Sequence, residues 1–130
     1  MTQLPKKVLL AEDDGFTRYM MGEIFHTLGF DFDVAKDGQE CEDILRANPG
    51  AYGVVLMDIH MPRMSGVDAT RTIRETASDP PKNIPIIAVT ADSDYHDDEA
   101  IRETGMNGYL RKPIVATEVN DVIDRYCSAA

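Results

Sequence analysis

Val54-Val55-Leu56-Met57-Asp58 is an apolar run that ends in a carboxylate, and Ile59-His60-Met61-Pro62-Arg63-Met64-Ser65-Gly66 follows it. A run this short and this apolar reads as a strand buried on both faces, as strands of parallel sheets are. Pro62 and Gly66 break the pattern, so Asp58 falls on the rim of the sheet. Three more runs end in polar residues: Val8-Leu9-Leu10-Ala11 leads into Glu12-Asp13, Ile86-Ile87-Ala88-Val89 into Thr90, and Gly108-Tyr109-Leu110-Arg111 into Lys112-Pro113. If the four strands are parallel, three acids, one hydroxyl and one amine meet at one edge. That inventory suits a divalent cation and a phosphoryl group.

Helical spacing fills the gaps between these runs. Phe16, Met20, Ile24 and Leu28 recur along one face before Gly29, a natural C-terminal stop. Residues 30–35 alternate as a strand, with a turn at Asp37-Gly38. Cys41, Ile44 and Leu45 give a short helix ended by Asn48-Pro49-Gly50, and Val67, Thr70, Ile73 and Ala77 give a third that stops before Pro80-Pro81. The fourth strand spans 85–89 and the fourth helix 95–104, ending at Gly105. Val119, Val122, Ile123 and Tyr126 mark a last helix after the strand at 108–111. Five strand–helix repeats predict an α/β fold, a flavodoxin-like (βα)5 doubly wound parallel sheet of order 2-1-3-4-5. Ligands of such sheets sit beyond the carboxyl ends of strands one and three, where Glu12, Asp13 and Asp58 fall.

The chain of 130 residues reads as one domain over 1–130 with its core at 6–126. Residues 1–5, 78–83 and the last three read as loose. With 13 Lys+Arg against 23 Asp+Glu, the net charge of −10 argues against direct nucleic-acid binding. Cys41 and Cys127 fit no metal or redox spacing; Cys41 reads as helix core and Cys127 as a residue near a fraying terminus. The polar start resembles no signal peptide, and no stretch approaches the roughly 20 apolar residues of a membrane span. The expectation is a soluble cytoplasmic protein in a reducing compartment, with no membrane partner.

Taken alone, Glu12-Asp13-Asp14 reads as the acidic start of the next helix, with Asp14 as its cap. Asp58 changes that reading, because three converging carboxylates repel one another unless a cation lies among them. Mg²⁺, which takes oxygen ligands and keeps several waters, fits the set. Thr90 and Lys112 are ordinary residues singly; it is their placement at further strand ends that supplies a donor and a cation for a phosphoryl group. His60 contributes its backbone carbonyl rather than its ring, and His26 and His96 are placed in helices without partners. The methionines read as core and loop filler, and the acids of 92–99 as helix-start electrostatics and solvation.

Leu9-Leu10-Ala11-Glu12-Asp13, residues 57–66, Val89-Thr90-Ala91 and Tyr109-Leu110-Arg111-Lys112-Pro113, in this order and spacing, resemble the receiver domain of two-component response regulators. The resemblance covers residues 6–126. The second motif, followed by Asp68-Ala69-Thr70 and Arg74, is most similar to receivers attached to or serving hybrid histidine kinases. It implies that Asp58 accepts a phosphoryl group from a phosphohistidine on a sensor histidine kinase or a histidine phosphotransfer protein. It implies direct Mg²⁺ ligation by Asp13, Asp58 and the His60 carbonyl, with Glu12 acting mainly through a metal-bound water. Thr90 would bond the phosphoryl oxygen, Lys112 would pair with it, and Tyr109 would be the aromatic switch. In this family the side chains at the positions of His60 and Asp92 flank the water that removes the phosphoryl group.

The leading expectation is therefore a phosphoacceptor with no enzyme activity beyond its own phosphorylation and dephosphorylation. It would signal to a downstream protein through the face of the fourth helix, fifth strand and fifth helix, or shuttle phosphate by docking through the first helix. A Mg²⁺-dependent aspartyl phosphatase is the alternative enzyme, but its second Asp two residues on is replaced by His60. A flavin module would find Glu12-Asp13-Asp14 repelling its phosphate. A degenerate receiver used only for docking is disfavoured by the complete site.

Overall fold

A computed structural model describes residues 6–127; the expectations for residues 1–5 and the last three lie outside it. Five strands, β1 (Lys7–Ala11), β2 (Phe32–Ala35), β3 (Tyr52–Asp58), β4 (Ile86–Thr90) and β5 (Gly108–Arg111), form one parallel sheet in the order β2-β1-β3-β4-β5. The helices are α1 (Gly15–Leu28), α2 (Gly38–Ala47), α3 (Gly66–Thr76), α4 (Asp98–Thr104) and α5 (Ala116–Cys127). Expected order and alternation are both met.

Alternate residues of each strand feed two cores, one on each face of the sheet. Leu9, Val55, Met57, Ile86 and Ala88 pack with Cys41, Leu45, Ala69, Ile73 and Ile101 from α2, α3 and α4. Val8, Leu10, Val54, Leu56, Ile87 and Val89 pack with Met21, Phe25, Val119 and Ile123 from α1 and α5. Every residue of β3 is buried, as the unbroken apolar run requires of a central strand.

The buried side of α1 is not the stripe read from the sequence. Met21 and Phe25 face the core and Ile24 and Leu28 are half-buried, while Phe16 is 70% exposed and Met20 44%. Asp14 caps α1 by accepting from Thr17 N at 2.8 Å, which starts the helix beyond the sheet edge with its first turn over solvent. At the other end Gly29 takes φ 81°, and Phe30 N donates to Phe25 O, so Phe30 closes the helix instead of starting β2.

The fourth helix is shorter than the spacing suggests. Asp92 caps a 3-10 turn at Ser93–Tyr95, and Asp97, in an extended conformation, caps α4 by accepting from Ala100 N. Two caps so close divide the segment, leaving His96 between the pieces rather than in a helix. Cys127 is likewise no fraying residue: it is 3% exposed, and the Lys6 N–H donates to its carbonyl. The 78–83 segment is held by Lys82 N to Ser78 O and by Arg74 Nη1 to Lys82 O at 2.8 Å.

Candidate functional site

Strand register decides which chain ends meet. Ala11 pairs with Met57, Asp58 with Val89, and Thr90 with Arg111. The residues that follow, Glu12 and Lys112, therefore stand on the same edge as Asp58 and Thr90. Oxygens of Glu12, Asp13 and Asp58 come within 4.8 Å of one another, and Lys112 Nζ lies 3.0 Å from Glu12 Oε1 and 3.8 Å from Asp58 Oδ1. Glu12 and Asp58 are buried and Asp13 is exposed, so the cluster reaches solvent at Asp13.

Backbone contacts fix these carboxylates. Arg18 Nη1 donates to the carbonyls of Glu12 at 3.0 Å and Asp13 at 2.8 Å, clamping the loop after β1. Arg18 is therefore part of the site's scaffold and not a neutral surface position of α1. Beneath Asp58 the start of α3 comes very close: a Cβ at Gly66 would sit 2.2 Å from the Asp58 carbonyl oxygen. Only glycine fits there, and its N–H donates to Ile59 O at 2.9 Å, closing the loop after β3. Arg63, at φ 65°, donates to buried Asp37 and ties that loop to the N-terminus of α2.

The electrostatics are those of a crowded anionic site. Burial, and then the charge of Glu12, push the Asp58 carboxyl up to about 7, with Lys112 opposing. Such a cluster is short of positive charge. A small divalent ion fits the donor set, because one carboxylate oxygen from each of the three acids lies within 4.8 Å of the other two.

Thr90 is 2% exposed, and its Oγ1 accepts from Asp92 N at 3.0 Å. His60 lies outside the acid cluster by its ring, whose Nε2 is 2.8 Å from Asp92 Oδ2, so the pair bridges the loops after β3 and β4. Tyr109, on β5, pairs with Ala88 of β4 and packs against the α2–α4 core. His96, expected to pair with nothing, has its Nε2 2.8 Å from Thr90 O and stacks on Tyr109. Periodicity pointed to a helix there; the only sequence signal for the break was the second capping aspartate, Asp97.

The chain belongs to the response regulator receiver domain family, which matches residues 8–124. It is a receiver of two-component signal transduction similar to those of hybrid histidine kinases. Hybrid signal transduction histidine kinase I of Dictyostelium discoideum is 38% identical over 124 residues, covering 93% of this chain and 7% of that protein. The chain thus spans under a tenth of such relatives. The polar-differentiation response regulator DivK of Brucella anthropi is 30% identical over 127 residues, covering 98% of this chain and 100% of the relative. Among solved structures, the receiver domain of sensor histidine kinase PA1611 from Pseudomonas aeruginosa PAO1, with a magnesium ion coordinated in the active site cleft, has a TM-score of 0.81 and 30% identity, covering 94% of this chain and 97% of that one. The receiver domain of Ssk1 of Saccharomyces cerevisiae, in complex with the histidine phosphotransfer protein Ypd1, has a TM-score of 0.81 and 25% identity, covering 96% and 91%. Among the described residues, no helix is long and apolar enough to cross a membrane.

Proposed function

We propose that residues 6–126 form one phosphoacceptor unit in which Asp58 takes the phosphoryl group of a phosphohistidine. The observation that carries this is the meeting of Asp58 with Lys112, Glu12 and Asp13 at one buried edge. A carboxylate oxygen of Asp58 attacks phosphorus, the P–N bond breaks, and its electron pair stays on the donor imidazole, which takes up a proton. Lys112 offsets charge on the phosphoryl oxygens, and Thr90 Oγ1, accepting from Asp92, still has its own proton to donate to one of them. Asp13, Asp58 and the His60 carbonyl would hold Mg²⁺ directly and Glu12 through water. Bound there, the ion would neutralise charge on the transferring group. His60 and Asp92 together flank the approach of water, so hydrolysis of the acyl phosphate is governed at that pair. The unit has no other catalytic activity. An aspartyl phosphatase would need an acid at His60, whose ring is turned to Asp92.

Occupation of Asp58 draws Thr90 toward the phosphoryl group and brings Tyr109 inward, a two-state change biased by bonds made only after transfer. One face that could read it is α4–β5–α5, where Asp98, Tyr109, Arg111, Glu118 and Arg125 line a groove. Of the acids at the start of α4, Asp97 is taken up as the helix cap.

The exposed large apolar side chains lie elsewhere. Phe16 at 70%, Tyr19 at 67% and Met20 lie in the first half of α1, which follows the Glu12–Asp13 loop, and Val115 comes three residues after Lys112. Such side chains favour a partner that docks at the Asp58 edge, as a histidine phosphotransfer protein or kinase must to deliver phosphate. Tyr19→Ala is expected to weaken phosphotransfer from a cognate phosphohistidine protein by roughly tenfold or more, leaving modification by acetyl phosphate intact. Charge reversal at Asp98 and Glu99 is expected to spare that exchange. If stopped-flow transfer is instead slowed only by the reversal, the α1 surface is not the docking site.

A further inference from the structure

One imidazole touches both halves of the switch just described. His96 Nε2 is 2.8 Å from the Thr90 carbonyl oxygen, and since a carbonyl can only accept, that nitrogen carries the proton. The same ring stacks on Tyr109, with centroids 5.7 Å apart and planes 18° from parallel. The Thr90 carbonyl also accepts from Lys112 N at 3.1 Å, so the end of β4 is pinned from two sides.

The placement follows from the local sequence. Asp92 caps the 3-10 turn, the His96 N–H closes on Ser93 O, and Asp97 begins α4 in an extended conformation. The chain therefore doubles back over the end of β4 and delivers His96 to a carbonyl six residues earlier. Tyr109, on the α2–α4 side of β5, meets it there.

We propose that His96 is the positioning residue of the switch: its ring holds Tyr109 in the arrangement seen here, and Tyr109 moves toward Thr90 only when the stack is given up. The inference rests on the reading of Thr90 and Tyr109 as the switch pair. A contact present in one arrangement and lost in the other favours the first by its own free energy. By linkage, that bias opposes whatever ligand at Asp58 drives the second arrangement, so loosening the ring tightens that ligand's binding. Loss of the stack alone corresponds to roughly a three- to tenfold change in affinity.

The test is titration of the whole chain with beryllofluoride in saturating Mg²⁺, read by calorimetry and by the NMR signals of the Tyr109 ring. His96→Ala is expected to bind beryllofluoride about three- to tenfold more tightly and to show Tyr109 signals already displaced toward the bound positions. His96→Phe, which keeps a ring to stack, is expected to return both readouts toward wild type. A residue that merely supports the fold would weaken binding or leave it unchanged, and either result in His96→Ala overturns the assignment. If His96→Ala does not fold, His96→Gln, which keeps a donor and loses the stack, carries the same expectation. Failure of the wild-type chain to bind beryllofluoride overturns the phosphoacceptor reading and this one with it. Binding by wild type with no change in the variants overturns only the role of His96.

Discussion

In metal-free buffer at pH 8, Asp58→Asn is expected to melt about 8–15 °C above wild type, corresponding to about 2–4 kcal/mol. The wild-type carboxyl, pushed from its ordinary 3.8 to about 7 by burial and by Glu12, must ionise among other acids in the folded chain. The sign follows from proton counting. Between pH 3.8 and about 7 the folded state keeps a proton on Asp58 that the unfolded state has released, so wild-type stability falls as pH rises through that window and levels off above it. The amide has no charge to ionise and lacks that slope. Mg²⁺ is expected to act in the opposite sense on wild type, since binding at ten times the dissociation constant adds about 1.4 kcal/mol. Asp13→Asn removes a carboxylate from the set and should lose most of that gain. Thermal melts from pH 4 to 8, with EDTA or with millimolar Mg²⁺, check both arms; a wild-type melting curve indifferent to pH and to Mg²⁺ would contradict the electrostatic account.

Lys112→Ala is expected to slow phosphoryl transfer to Asp58 by about 10²-fold or more, the scale of removing one preorganised charge-stabilising donor. Its Nζ, 3.0 Å from Glu12 and 3.8 Å from Asp58, is placed where charge gathers on the phosphoryl oxygens. The substitution also leaves buried Glu12 without its cationic partner, so circular dichroism must show a folded variant at the temperature of the assay. Rapid-quench transfer from a phosphohistidine donor in saturating Mg²⁺ isolates the effect. A rate within threefold of wild type would remove Lys112 from the transfer step.

Much of this was legible in the chain because the site is made of strand ends. β3 and β5 announce their own C-termini by apolar runs that stop at Asp58 and before Lys112, and parallel pairing then leaves little freedom in how those ends align. The cap at Asp14 and the stop at Gly29 were readable for the same local reason. What was not legible depended on where an element sits over the sheet. Spacing identifies a helix in α1 but not which of two adjoining stripes is buried, and Phe16 and Met20 proved to be the outer one. The exposed apolar side chains of α1 were hidden by that choice. His96 was hidden by a break that periodicity does not register: its neighbours look helical, and only the extended Asp97 and the 3-10 turn before it turn the ring back onto Thr90 and Tyr109. Arg18, likewise, is an exposed helix residue by pattern and a clamp on two loop carbonyls by geometry.

The most direct measurement is intact-mass spectrometry after exposure to a cognate phosphohistidine protein in Mg²⁺, compared between wild type and Asp58→Asn. The expected result is one added phosphoryl group on wild type, labile in base and dependent on Mg²⁺, and none on Asp58→Asn. A phosphoryl group retained by Asp58→Asn, or a wild-type chain that takes none from any histidine donor while folded and Mg²⁺-bound, would contradict the assignment of Asp58 as the phosphoacceptor.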